Sequence, residues 1–385
     1  MAIPLDSDSQ IIVSEIRRFV DREVLPVARD LEHSDTYPYE LIDKLKHLGV
    51  FSATIPEAYG GLGLDFATYV QIVEELARGW MSLAGIVNTH VLVAYMIAAH
   101  GTEEQRQHYL PIMATGDTRG GLCISEANAG SDVQAITMTA VPEIDGYLLS
   151  GSKLWVTNGV HASIFAVLAR TNPTASPPYR GMSVFLVEKG TPGLSVSRTF
   201  EKLGYRGVET AELVFDAVHV PAANLLGGIE GEGFKQAMSG LEVGRINVAA
   251  RAVGLAQAAF NDSIKYAQQR ITFGKPIAQH QAIQLKLADM ATKIEAARLL
   301  LQKAAQKKDL GERCDLEAGM AKLFASEMCQ EVTLDALRIH GGFGYTKEFN
   351  VERYYRDAPF MLVGEGTSEI QRLVIARQLL EKYKI

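Results

Sequence analysis

The spacing of apolar residues changes period twice along these 385 residues, and few architectures accommodate that. Near the start Ile12, Ile16, Phe19, Val20 and Val24 recur at helical spacing, with Arg and Glu between them. Gly60, Gly61 and Gly63 mark a turn, and Phe66 to Ala77 and Ile86 to Ala99 read as further helices, the second almost wholly apolar and therefore buried. From Gly120 to Leu226 the pattern becomes short runs rich in β-branched residues, broken by turns. Gly146–Gly151, Ile164–Ala169, Ser183–Val187 and Glu212–Phe215 read as strands of a closed or sandwiched β-domain, and Thr171 to Pro178 as a surface loop. Helical spacing returns at Gly233, with long amphipathic helices over Leu255–Ala267, Ala282–Lys308 and Leu316–His340 and a glycine break at Gly341 to Tyr345. The expected fold is therefore α+β and multidomain: a helical domain over 1–117, a central β-barrel or sandwich over 118–227 and a helical bundle over 228–385.

Composition narrows the function. The chain is 47% hydrophobic and 22% charged with a net charge of −7, which offers no electrostatic footprint for nucleic acid. The run from Ile86 to Ala99 contains Asn88, His90 and Tyr95 and is too short to span a bilayer, so no membrane insertion is expected. The three cysteines, Cys123, Cys314 and Cys329, form no C-x-x-C pair, which argues against a disulfide framework or a metal site and fits a reducing cytoplasm. The N-terminus lacks the basic-then-apolar pattern of a signal peptide, so a cytoplasmic location is expected.

Five segments can carry chemistry. In Arg356 to Gln371 an apolar stretch leads into Gly364-Glu365-Gly366, and Thr367 or Ser368 can cap a following helix. A carboxylate between two glycines at the edge of an apolar pocket is desolvated and so a stronger base, although a solvated turn gives the same letters. In Leu122 to Asp132 small and hydroxyl residues crowd between two β-like stretches, as in loops whose N–H groups approach phosphates or a heterocycle edge. In Lys153 to Gly159 alternation puts Trp155 and Thr157 on one strand face, where an indole and a hydroxyl suit a flat ring; an ordinary core Trp is the plainer reading. Arg270 to Pro276 with His280 and Gln281, and Ile339 to Tyr345, could receive a nucleotide pyrophosphate and adenine or could be simple helix ends. Neither has the context of a Rossmann site or a P-loop.

Taken in order and at their spacing, these segments resemble the acyl-CoA dehydrogenase family over nearly the whole chain. The resemblance implies a C-terminal four-helix bundle, bound FAD and a homotetramer. Leu122, Ile124, Ser125, Gly130, Ser131, Trp155 and Thr157 would hold the isoalloxazine, with Ser125 and Thr157 at its polar edge. Arg270, Thr272, Phe273 and Gln281 would meet the pyrophosphate and adenine, joined by Arg338, Gly341 and Gly342 of a neighbouring subunit; Thr367 and Glu369 would also touch FAD. Tyr95, Ser131, Glu242, Arg245, Gly364 and Gly366 would contact the acyl-CoA, and Glu365 matches the family's catalytic glutamate. Three positions depart from the family: Ala127 for a frequent Pro, Arg338 for a frequent Gln, and Gly364 where several straight-chain members have Tyr. Some branched-chain members take their base from the preceding bundle helix, where this chain has Gly244.

The implied reaction is α,β-desaturation of an acyl-CoA to the trans-2-enoyl-CoA. Glu365 removes the α-proton, flavin N5 accepts the β-hydride, and an electron-transfer flavoprotein reoxidises the flavin. The thioester carbonyl would be bonded by the ribityl 2′-hydroxyl and the Glu365 N–H. The competing readings on the same scaffold are an acyl-carrier-protein-linked dehydrogenase, an O2-using oxidase or monooxygenase, and a non-catalytic binding protein. Gly364 is expected to leave open volume beside the substrate's Cα and so to favour a branched or cyclic acyl group. The helix around Val87 to Ala98 has no Arg or Lys to receive a distal carboxylate, which speaks against a dicarboxylic substrate.

Overall fold

Asp6 opens the first helix: its carboxylate accepts the Ser9 N–H at 2.7 Å and caps α1 (Ser7–Phe19). Pro26 has no N–H to give the helix, and the chain passes through a π turn at Val20–Val24 into α2 (Leu25–His33). Then follow α3 (Tyr39–His47), α4 (Phe66–Gly79), α5 (Met81–His100) and α6 (Glu103–Ala114). The computed structural model describes residues 6–384.

Helix α5 is longer than the sequence suggests. It runs for 20 residues, enough by length and composition to cross a membrane, but 89% of its apolar window is buried inside the protein. It is apolar on every side because neighbours surround it: α4, α6, the first strand and the long bundle helix all pack on it.

The central part is one curled sheet of seven strands: β1 (Gly120–Cys123), β2 (Thr139–Pro142), β3 (Gly146–Thr157), β4 (Ile164–Arg170), β5 (Met182–Glu188), β6 (Leu194–Thr199) and β7 (Thr210–Pro221). The pairing path is β1-β4-β2-β3-β7-β6, with β5 antiparallel to β4. Strand β1 lies tight against α5: a Cβ at Gly120 would come within 2.6 Å of Val93. That contact brings the loop after β1 to the helical domain. Strand β3 bulges between Lys153 and Val156, and Trp155 sits there with φ of 62°.

The C-terminal part begins with α7 (Gly233–Gln269), a single 37-residue helix rather than the shorter one expected. A hairpin of β8 (Ile271–Thr272) and β9 (Lys275–Pro276) leads to α8 (Gln281–Asp309), α9 (Asp315–His340), α10 (Val351–Val363) and α11 (Ser368–Lys382). One apolar core runs from α1, α4 and α5 through α7, α8, α9 and α10, so the two helical parts share an interior.

Candidate active site

Helix α10 stops at Gly364, and the next residue, Glu365, has φ of 56°, with Gly366 at 92°. A left-handed Glu is strained, and such strain persists only where surrounding structure imposes it. Buried Gln371 imposes it here, donating through Nε2 to the carbonyls of Glu365 (3.3 Å) and Gly366 (3.2 Å). Thr367 then caps α11 by accepting the Ile370 N–H, one of the two caps the sequence offered. The turn aims the Glu365 carboxylate at α7, where a Cβ on Gly244 would lie 2.7 Å from Oε2. Gly244 thus makes the room that Glu365 fills.

Asn88, buried on α5, donates from Nδ2 to Glu365 Oε1 at 3.2 Å. Burial pushes the Glu365 carboxyl up from its ordinary range, opposed by Arg251, the Asn88 hydrogen bond, Arg245 and Lys322. Lys322 is itself fully buried, and burial lowers its ammonium to about 8. Among the described residues the Glu365 backbone N–H meets no protein acceptor, so it is free to donate to a ligand oxygen. A held carboxylate with a raised pKa beside a free N–H is equipped to take a proton next to a carbonyl.

The loop after β1 is anchored from below. Lys153 is fully buried; its Nζ donates to Glu126 Oε1 at 2.7 Å and to the Ile124 carbonyl at 2.9 Å. Glu126 also accepts the N–H groups of Thr137 (2.6 Å) and Met138 (3.0 Å). Above these anchors Leu122 and Ser125 are half-buried, Ile124 is buried, and Gly130 and Ser131 are exposed. Trp155 is not a core Trp: it is 57% exposed, with its ring 4.5 Å from that of Phe200. Thr157 lies half-buried two residues on, and Gly130 has nothing within 4 Å of where its Cβ would be. An exposed indole, a nearby hydroxyl and a small-residue loop make a platform for a flat ring.

The other candidate residues are spread over several elements. Arg270, Thr272 and Phe273 sit on the β8–β9 hairpin and Gln281 opens α8; Phe273, at φ of 50°, is 95% exposed. Arg338, Gly341 and Gly342 are exposed at the end of α9. Glu369 is exposed on the first turn of α11. Glu242 is buried and held by Lys308 Nζ at 2.6 Å, the same ammonium that donates to Tyr95 at 2.7 Å. Arg245 is buried 3.5 Å from Asp315.

One expectation about the acyl pocket fails. The volume beside Gly364 is not open: a Cβ there would lie 2.9 Å from the Phe360 ring, which stacks on Tyr205 at 4.4 Å. The Val87 to Ala98 segment carries no Arg or Lys, as read from the sequence; cations near these residues come from other helices, Lys308 beside Tyr95 and Arg251 from α7. Neither could be read from the α5 segment alone. We expect Gly364→Ala to lose about 1–3 kcal/mol by overpacking against Phe360, and Phe360→Leu in the same chain to recover part of it. Urea unfolding checks this, and an unchanged midpoint for Gly364→Ala would contradict it.

Two further features lie elsewhere. Glu32, His33 and Glu352 are close enough to hold a metal ion, but the Arg356 guanidinium already bonds both carboxylates. A charged depression of about 480 Å³ lined by Arg17, Glu74, Glu75, Arg78 and Arg298 is separate from Glu365, and each of its arginines faces a carboxylate. The three cysteines are buried and free.

Comparison with known proteins agrees along the whole chain. Models of the acyl-CoA dehydrogenase N-terminal, middle and C-terminal domains match residues 6–117, 121–218 and 231–380. An acyl-CoA dehydrogenase of Bacillus subtilis (strain 168) is 44% identical over 95% of this chain and 96% of its own. An acryloyl-CoA reductase (NADH) of Anaerotignum propionicum is 41% identical over 99% of this chain and 97% of its own. The butyryl-CoA dehydrogenase structure from Megasphaera elsdenii superposes with a TM-score of 0.96 at 40% identity, covering 99% of this chain and 100% of that one. A chain solved in work on the electron transferring flavoprotein of Acidaminococcus fermentans gives 0.96 at 41% identity, with the same coverage. With three domain models spanning the chain and relatives this similar at nearly full length, the chain belongs to the acyl-CoA dehydrogenase family.

Proposed function

We propose that this enzyme desaturates an acyl-CoA thioester between Cα and Cβ, with Glu365 as the base and FAD as the oxidant. The observation that carries the reading is the half-buried Glu365 carboxylate, packed against Gly244 and held by Asn88, with its pKa raised by desolvation. The free Glu365 N–H donates to the thioester oxygen as negative charge builds there, which acidifies the α-proton that the same residue's carboxylate removes. Asn88 keeps Oε1 in place, so Oε2 is the oxygen left to take the proton. Bound FAD supplies the two-electron oxidation at Cβ. The exposed Trp155, half-buried Thr157 and the open loop of Ser125, Gly130 and Ser131 would hold its ring, a fit supported by the unfilled space at Gly130. An electron-transfer flavoprotein as acceptor is supported by the likeness to the Acidaminococcus chain. The three buried thiols suit a cytoplasmic setting. A panel of acyl-CoAs assayed with an artificial electron acceptor tests the activity; a yellow protein that turns over none of them would overturn it.

The assembly belongs to the same proposal. Phe273 and Tyr345, on the two turns assigned to FAD, stand 95% and 86% exposed. A homotetramer that brings the Arg338–Gly342 turn of one subunit to the FAD of another would cover them. We expect dilution or an interface substitution to release subunits and flavin together. Light scattering with flavin absorbance reads both, and a monomer with full FAD occupancy would refute the coupling.

A further inference from the structure

Helix α9 carries a stripe of small buried residues, Ala318, Gly319, Ala321, Ala325 and Ser326, which lets α7, α10 and α11 pack closely on it. Lys322 stands in the middle of that stripe and is fully buried. Burying a charge costs far more than burying a neutral group, so a lone ammonium among small residues calls for a reason. The desaturation chemistry set out above gives it no task.

The Lys322 Nζ donates to the Leu362 carbonyl at 3.4 Å. Leu362 lies in the last turn of α10, three residues before Glu365. A helix C-terminus is the negative pole of the helix dipole, which disfavours a carboxylate placed beside it. One turn before Lys322 on the same face, a Cβ at Gly319 would lie 3.5 Å from Gln371 Oε1. Gln371 is the side chain that holds the strained turn at Glu365 and Gly366. Helix α9 is thus the floor beneath that turn, and Lys322 is the one Lys or Arg buried on it. A neutral donor could bond the Leu362 carbonyl without the cost of a charge. The charge therefore answers to another group. Burial lowers the Lys322 ammonium to about 8, and Glu365 opposes that most, with Glu327 after it, while Arg245 and Arg251 add to the lowering. Glu365 in turn faces Arg251 and Arg245 on α7, Asn88 on α5 and Lys322 on α9, with the Tyr205 hydroxyl also in its field. Arg245 has Asp315 as a second partner and Arg251 bonds the Tyr205 hydroxyl. Of the three cations only Lys322 also bonds the helix end that carries the base.

We infer that Lys322 is a positioning residue for the base: its ammonium pins the end of α10 and sets a positive charge opposite the Glu365 carboxylate. This rests on the dehydrogenase reading and deepens it. Desolvation and the helix end both favour the protonated, inactive form of Glu365, and Lys322 works against both. Without its charge the Glu365 pKa rises further, and the active carboxylate is lost at a higher pH as the solution is acidified.

The test is the pH profile of anaerobic flavin reduction in the holoenzyme, with the acyl-CoA that bleaches the wild type fastest. Lys322→Gln keeps a donor for the Leu362 carbonyl but not the charge, so its acid limb should move up by about one pH unit. Lys322→Arg should return the limb close to its wild-type position. A side chain that only packs would change stability and leave the limb in place. The second readout is the urea midpoint at neutral pH in a cycle with Glu365→Gln. Lys322→Gln should lower the midpoint when Glu365 is present and not when it is Gln, because the ammonium then meets only the repulsion of Arg245 and Arg251. The cycle also decides if Lys322→Gln fails to fold alone: recovery in the double variant supports the inference, and failure of both proteins overturns it. An unmoved acid limb in Lys322→Gln, or equal midpoint losses in both backgrounds, overturns it while leaving the dehydrogenase standing. A wild-type protein that no acyl-CoA bleaches sinks the dehydrogenase reading instead.

Discussion

Glu365→Gln keeps the side chain's shape and its Asn88 contact but cannot take a proton, so flavin reduction by acyl-CoA should fall by at least about 10²–10⁴-fold, the usual worth of a positioned base. Substrate and FAD binding should change little, because the amide still fills the space at Gly244. The pH dependence carries the sign. Burial raises the Glu365 pKa, so the active carboxylate form is lost as pH falls through that raised value and gained above it. The wild-type reduction rate should rise with pH and then level off, and the residual rate of Glu365→Gln should lack that limb. Anaerobic stopped-flow absorbance across pH reads both, and near-normal bleaching by Glu365→Gln would remove the residue from its role.

The second large effect concerns the Lys153–Glu126 pair. Burial pulls the Lys153 ammonium below its ordinary range against the attraction of Glu126. Burial pushes the Glu126 carboxyl the other way, but Lys153 and the Thr137 and Met138 N–H groups outweigh it and leave it lowered. Lys153→Met would strand a buried carboxylate, which costs about 3–5 kcal/mol. It would also release the Ile124 carbonyl, and with it the loop from Leu122 to Ser131. We therefore expect a large loss of stability together with weaker FAD retention. Combining Lys153→Met with Glu126→Gln should recover part of the stability, because no unpaired charge remains. Denaturant unfolding and flavin-release titration of the three variants check this. Unchanged stability and FAD affinity in Lys153→Met would show that the pair does not hold the loop.

What the sequence disclosed depends on how local the signal is. Glu365 was legible because two glycines and a capping Thr367 surround it within a few residues, and Trp155 and Thr157 because strand alternation is a two-residue rule. The order of helical, β and helical parts followed from period alone. Strand β6 (Leu194–Thr199) is hidden in the sequence because it is an exposed edge whose alternation, Leu194 and Val196 between serines, is only four residues long. The full length of α5 shows only in the fold, where its polar Asn88, Thr89 and His90 are buried. Asn88 meets Glu365 across 277 residues, and Arg251 meets Tyr205 across 46, so no window along the chain could pair them. A lone Asn in an apolar helix was the available hint. The space beside Gly364 is equally hidden from the sequence, because Phe360, one helical turn earlier, folds back into it.

The central claim is that this protein removes two hydrogens from Cα and Cβ of an acyl-CoA with Glu365 as the base. Anaerobic mixing of the FAD-loaded wild-type protein with acyl-CoAs, following the flavin band and identifying the product by mass spectrometry, tests it most directly. The account predicts rapid bleaching with one equivalent of the trans-2-enoyl-CoA formed per flavin. A flavin that stays oxidised with every thioester, or one that bleaches without any enoyl-CoA appearing, would contradict it.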